Sequence, residues 1–288
     1  MLNRFPQRVL LATDGAAGAA LALHAAAEIC TRADSELHLV HVWRTLESGP
    51  DTELRRQEAC WLLRREILAA EAALGGEVKG YLREGMPAEE ISALARELEA
   101  GLIVMGSRDL GPMERLVMGS VSEGVVNQAP CPVLVVRGGA WPPSRVVVGD
   151  DSSEGARRAG ELAARIAVLL GATLQLVRAY PVVLDISEAA RLSESIAVPL
   201  RVAMSRHEAA LLGRARALEG VLGYRPRIRV MEGEAASVIL ATAEEGDGGP
   251  ALIAVGRRGL GELDRLRLGS VSTKILRLSR GPVLICPA

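Results

Sequence analysis

Residues 104–122 read VMGSRDLGPMERLVMGSVS, and residues 254–272 read AVGRRGLGELDRLRLGSVS. In each, an apolar run ends at a glycine, Gly106 or Gly256. A glycine-rich loop follows, and Gly-Ser-Val-Ser opens an amphipathic stretch. Gly119 and Gly269 lie 150 residues apart in a chain of 288, so one unit is written twice. A strand that turns through glycine into a helix start aims backbone N–H groups at an anion and adds the favourable end of the helix dipole. One difference lies inside the turn itself: Asp109 stands where the second copy has Gly259.

Working outward, each copy opens with a short apolar run ending in aspartate, residues 8–14 (RVLLATD) and 145–150 (RVVVGD). Neither alternates apolar with polar, as befits a strand buried on both faces of a parallel sheet. A helix follows each; in the second, Ala159, Leu162, Ala163, Ile166 and Leu170 make one apolar stripe. Second strands read LHLVHVW (37–43) and LQLVRAY (174–180). In the long helix after the first of these, Cys60, Leu63, Ile67, Ala70 and Leu74 mark the face expected to be buried. Its counterpart is longer, and Pro199 is expected to divide it into two helical pieces. Third strands, 78–82 and 227–231, lead into Glu-Gly turns, then a helix, the fourth strand and the glycine loop. Val133–Val136 and Val283–Cys286 are the final strands. Strand–helix alternation of this kind predicts an α/β chain, two tandem doubly wound (Rossmann-like) domains of five parallel strands each, over residues 1–138 and 144–288.

Composition excludes more than it selects. Formal net charge is −1 and aromatic content 2%, which leaves neither a basic surface nor a stacking platform for nucleic acid. No apolar run is long enough to span a membrane, and MLNRFPQR leads straight into a strand without a signal-peptide core. The four cysteines do not repeat between the copies, so reduced thiols in a cytoplasmic protein are expected. His38 and His41, three apart on a strand, point to opposite faces and suit packing better than a shared metal. No Gly-x4-Gly-Lys-Ser/Thr loop, nucleophile elbow, HExxH or CxxC is present.

In open parallel sheets, ligands sit at the carboxyl ends of the strands, where Asp14, Asp150, Gly106 and Gly256 all fall. Ser270 is expected as a helix N-cap, with the N–H groups of Val271 and Ser272 behind it, and Arg257 or Arg258 can add charge-assisted contacts. The pattern Gly-x2-Gly-x9-Gly-Ser, with an aspartate-ended strand far upstream, resembles the universal stress protein family, in tandem over nearly the whole chain. That resemblance implies the adenine-nucleotide α-hydrolase-like type of sheet and ATP binding wherever the motif is complete. Carried over residue by residue, it implies a second-domain site of Asp150, Ala179, Gly256, Arg258, Gly259, Gly269, Ser270, Val271 and Ser272. Asp150 would lie near adenine or ribose, and Ala179 at a position usually held by an adenine-contacting valine. The first domain offers Thr13, Asp14, Val42, Gly106, Arg108, Gly119, Ser120, Val121 and Ser122. Domain two ranks first, because a carboxylate at Asp109 repels polyphosphate unless a cation such as Mg2+ bridges them.

The leading expectation is thus a stress-response regulator binding ATP or another adenine nucleotide. A nucleotide-independent interaction module is one alternative, its last strands pairing as a dimer within one chain. Slow ATP hydrolysis, with Asp150, Asp151 or Asp109 holding Mg2+, is another. The sequence names neither a protein partner nor a catalytic base, and leaves further homodimerisation open.

Overall fold

The computed structural model describes residues 5–44, 51–107, 119–138, 141–180, 197–246, 249–258 and 268–287. In the first half, β1 (Arg8–Ala12), α1 (Ala17–Ala33), β2 (Glu36–Trp43), α2 (Asp51–Leu74), β3 (Lys79–Glu84), α3 (Pro87–Glu97), β4 (Leu102–Gly106), α4 (Ser120–Gln128) and β5 (Val133–Val136) follow in order. The second half repeats them as β6 (Arg145–Gly149), α5 (Glu154–Leu170), β7 (Thr173–Tyr180), α6 (Ala197–Leu222), β8 (Arg227–Glu232), α7 (Ala235–Glu244), β9 (Leu252–Gly256), α8 (Ser270–Leu278) and β10 (Val283–Cys286).

The strands form one ten-stranded sheet in the order β3-β2-β1-β4-β5-β10-β9-β6-β7-β8. Each half is parallel throughout. Among the described residues only the seam is antiparallel, with Val283 opposite Val135, Leu284 opposite Leu134 and Ile285 opposite Val133. The last strands therefore do pair within the chain. On one face of the sheet Leu11, Ile29, Leu134, Ile166 and Leu211 share a single apolar core; on the other Leu10, Ile103, Val135, Ile253 and Leu276 do. Both cores run through both halves. Arg32 on α1 also donates to the Leu169 carbonyl on α5 (2.9 Å), and the Trp141 indole N–H to Glu28 (2.8 Å).

Local chemistry sets the element ends. The Ser153 hydroxyl accepts from the Ala156 N–H to start α5, and Gly171, at φ +67°, closes it. The Glu-Gly turns after β3 and β8 hold Gly85 and Gly233 at φ +143° and +140°, a backbone that side-chain-bearing residues rarely adopt. The stripe predicted on α5 is buried throughout.

Two expectations need correction. On α2, Leu63, Ile67, Ala70 and Leu74 pack against the core as expected, but Cys60 is exposed, and the buried face also contains Ala59 and the acidic Glu66. Glu66 is buried because the Thr13 hydroxyl and Arg65 satisfy its carboxylate. Pro199 falls in the first turn of α6, which begins at Ala197, where no N–H donor is required; the helical piece expected before it lies outside the described residues. The third strands run to Glu84 and Glu232, because pairing with the second strands continues as far as Trp43 and Tyr180.

All four cysteines are free thiols. Burial pushes Cys30 and Cys131 up to about 12. His38 is buried against the Tyr81 ring, and His207 stacks on Tyr180. Among the described residues, no helix is long and apolar enough to cross a membrane.

Candidate functional site

In each half the first strand lies between the second and the fourth, so the chain leaves it in opposite directions on its two sides. A crevice opens at the carboxyl ends of those strands. In the first half it is a cavity of about 470 Å³ and in the second one of about 300 Å³, both within the range of small-molecule sites. Thr13, Asp14, Val42, Gly106, Gly119, Ser120, Val121 and Ser122 all line the first. Asp150, Ala179, Gly256, Arg258, Gly269, Ser270, Val271 and Ser272 all line the second. The sequence therefore gathers each set around one crevice. Arg108, Asp109 and Gly259 lie outside the described residues.

The two crevices are wired differently. In the first, the Thr13 hydroxyl donates to Glu66 (3.0 Å), which also accepts from Arg65 (3.0 Å). His41 donates from Nδ1 to the Thr13 carbonyl (2.9 Å). These contacts brace the end of β1 from beneath and leave Asp14 exposed at the rim, its Oδ1 accepting from the Ala16 N–H (3.1 Å).

In the second, the equivalent aspartate is drawn inward. The Asp150 side chain is 1% exposed and meets two guanidinium groups. Arg178 donates to its carboxylate, to its backbone carbonyl (2.9 Å) and to the Ser152 hydroxyl (2.7 Å). Arg214 Nε donates to its other oxygen (2.8 Å). Glu66 and Arg214 occupy matching places, each thirteen residues before the next strand begins. A tie between the first strand and the long helix is thus kept in both copies, made by a hydroxyl on a carboxylate in the first and by a guanidinium on a carboxylate in the second. Sequence reasoning missed Glu66 and Arg214. The available signal was a charged residue inside an otherwise apolar stripe: Glu66 between Leu63, Ile67 and Ala70, and Arg214 between Leu211, Ala215 and Leu218.

The glycines divide by role. A Cβ at Gly106 would stand 2.4 Å from the Gly18 carbonyl, and one at Gly256 2.8 Å from the Ala156 nitrogen. Both glycines let a strand end press against a helix start. Among the described residues, a Cβ at Gly119 would meet nothing nearer than the Ser122 hydroxyl at 3.9 Å. Ser270 is not a cap: Gly269 holds that position with no side-chain bond, and Ser270 is the first helical residue. Ser272 instead donates back to the Arg257 carbonyl (2.8 Å) and the Gly269 carbonyl (3.0 Å).

Arg257 and Leu268, at the two ends of the second glycine loop, are fastened to the first domain. Arg257 donates to the carbonyls of Asn127 (3.1 Å) and Ala129 (3.2 Å), and the Leu268 N–H donates to Asn127 Oδ1 (2.8 Å). Burial, with Arg258 alongside, lowers the Arg257 pKa. Nearby, Glu234 caps α7, accepting from the Ala236 and Ser237 N–H groups and from Lys274 on α8 (2.7 Å). Burial works to raise its pKa, but Lys274, Ser237 and the two N–H groups outweigh it and hold the carboxyl at about 2.

Comparison with known proteins agrees with this architecture. The model of the universal stress protein family matches residues 6–137 and again 143–287. A universal stress protein of Methanocaldococcus jannaschii is 33% identical over 143 residues, covering 46% of this chain and 82% of its own length. The crystal structure of a universal stress protein from Archaeoglobus fulgidus has the same fold across 98% of both chains, at 24% identity and a TM-score of 0.71. A second structure from that organism, a universal stress protein in complex with dAMP, matches 46% of this chain at 21% identity and a TM-score of 0.36. With the family pattern matched twice in succession over almost its full length, the chain belongs to the universal stress protein family, as a tandem two-domain member.

Proposed function

We propose that this chain is a regulatory protein of the stress response that binds an adenine nucleotide, ATP foremost, between β1 and β4, and that the first domain is the stronger site. The observation that carries the second part is the contrast between the two strand-end aspartates. Asp14 is exposed at the rim of the larger cavity, within reach of ribose or adenine donors. Asp150 spends both oxygens on Arg178 and Arg214, and its cavity is smaller. This order reverses the one drawn from Gly259 alone.

In this reading Gly119, Ser120, Val121 and Ser122, at the start of α4, receive the phosphates, and Val42 flanks the base. Helix-start N–H groups suit that task because they have no partner within the helix. Among the described residues, no group of three or more His, Cys, Asp or Glu could hold a metal ion. Mg2+, where present, would be held mainly by phosphates and water. Residence in the cytoplasm accompanies this function, with the nucleotide-loaded crevice presented to a protein partner.

Calorimetry on ligand-stripped protein tests the proposal. ATP should bind, and Asp14→Ala should weaken it about tenfold, the worth of one hydrogen bond to a charged group. Asp150→Asn and Gly259→Asp should each leave the principal affinity within about threefold, roughly 0.6 kcal/mol. Absence of heat with ATP, ADP and AMP would sink the nucleotide reading. It would leave the interaction module, which the intrachain pairing of β5 with β10 favours. Phosphate release from ATP that exceeds background and vanishes in Asp14→Asn would bring hydrolysis into the function.

A further inference from the structure

Helix α2 carries a second apolar stripe, on the side away from the sheet. Leu54, Trp61 and Leu68 are spaced seven apart and are 57%, 73% and 60% exposed, with the exposed Ala72 continuing the line. Seven residues are nearly two helical turns, so the stripe runs almost straight along the outer face. Ala59, Glu66 and Ala70, which are buried, lie on the opposite side. The chain holds three tryptophans and one phenylalanine, and it leaves one of those tryptophans in water. A large apolar row with this spacing is the mark of a helix face that is covered in use.

We propose that this face binds a second copy of the same chain, with the two α2 helices antiparallel about a two-fold axis at Trp61. The sequence is complementary to itself in that arrangement and in no parallel one. Antiparallel pairing sets Trp61 on Trp61 and Leu54 opposite Leu68. On one flank it brings Glu58 to within one residue's rise of Arg65 of the second copy, twice. Gln57 meets Arg64 on the other flank. Parallel pairing would set Arg65 against Arg64 with no acid at the same height. The flanks carry both signs, which does not suit an anionic lipid surface. The contact joins nothing that the seam already joins: β5 and β10 are consumed within the chain, and α2 lies over the opposite end of the first domain's sheet. One helix face per copy buries less than a standard interface, so a reversible dimer with Kd on the order of 10–100 µM is expected.

Sedimentation velocity on the full chain from about 5 to about 200 µM, spanning that Kd, reads the proposal directly. The wild type should pass from monomer to dimer. Trp61→Glu should stay monomeric throughout, a weakening of at least about tenfold, with unchanged circular dichroism. Glu58→Arg should weaken the dimer, because it sets like charges against Arg64 and Arg65 of the second copy. Cys60, exposed beside Trp61, gives an independent reading: a short bis-maleimide should link wild-type chains and not Trp61→Glu. A wild type monomeric at the highest concentration would overturn the proposal, as would a dimer indifferent to Trp61→Glu. Co-sedimentation with phosphatidylserine vesicles that Trp61→Glu abolishes, without self-association, would assign the stripe to lipid instead. None of these readings involves nucleotide, so the proposal stands or falls apart from the binding function.

Discussion

Asp14 and Asp150 end equivalent strands and do opposite work. A carboxylate sealed between two guanidinium groups is part of the core; removing it leaves Arg178, itself 6% exposed, without its counter-ion. Breaking a buried pair from one side costs about 3–5 kcal/mol, so Asp150→Ala should lose stability on that scale in urea unfolding. Asp14→Ala, at an exposed position, should lose less than about 0.5 kcal/mol. Equal losses would remove the distinction on which the site ranking rests. Glu234 offers a pH readout. With its folded pKa near 2 and an unfolded value near 4.5, the unfolded chain binds more protons between those values. The stabilisation from this cap is complete above about 4.5 and falls away as pH drops toward 2. NMR titration should show the Glu234 carboxyl still ionised at pH 3. Lys274→Met should move its midpoint upward, and a midpoint near 4 in the wild type would contradict the coupling.

Helix α4 connects the two crevices. Its first turn faces the first cavity through Ser120, while its last residues, with Ala129, hold the ends of the second glycine loop through Arg257 and Leu268. Asn127→Ala removes the acceptor for the Leu268 N–H. The expected cost is about 1 kcal/mol, and amide exchange at Leu268 should quicken about fivefold. Unchanged exchange there would show that the side chain does not hold the loop. None of this fastening was legible in the sequence, because Asn127 and Arg257 are 130 residues apart and each looks like an ordinary surface polar residue. What was legible depended on period and repetition. Strands buried on both faces read as unbroken apolar runs, and every predicted site residue among those described lines its crevice, because the topology puts strand ends and helix starts together. What was not legible depended on partners. Glu66 and Arg214 make sense only once the strand end each one ties down is known. The outer stripe of α2 was hidden by the assumption that apolar residues mark the buried face.

At the scale of the whole molecule, the duplication turns two sheets into one. Val133–Val136 and Val283–Cys286 are buried on both faces and paired on both edges, so neither half presents a bare seam strand. Separating the halves would expose those edges, and an open, apolar edge strand pairs with whatever edge is available. Residues 144–288 expressed alone, a piece without α2, should therefore self-associate through β10, with Leu284 near the two-fold. Adding residues 1–138 should convert that homodimer into a one-to-one complex, since the native register of Leu284 on Leu134 buries the apolar faces of both halves together. The first half should carry Trp61→Glu in this experiment, so that only the seam is read. Sedimentation of each half and of the mixture distinguishes the outcomes. If residues 144–288 remain a folded monomer that ignores the first half, the seam is a consequence of tethering and not its own source of association. If the mixture assembles, the single chain is a dimer whose partner is guaranteed. One copy is then free to seal its aspartate with Arg178 and Arg214 while the other keeps an open crevice.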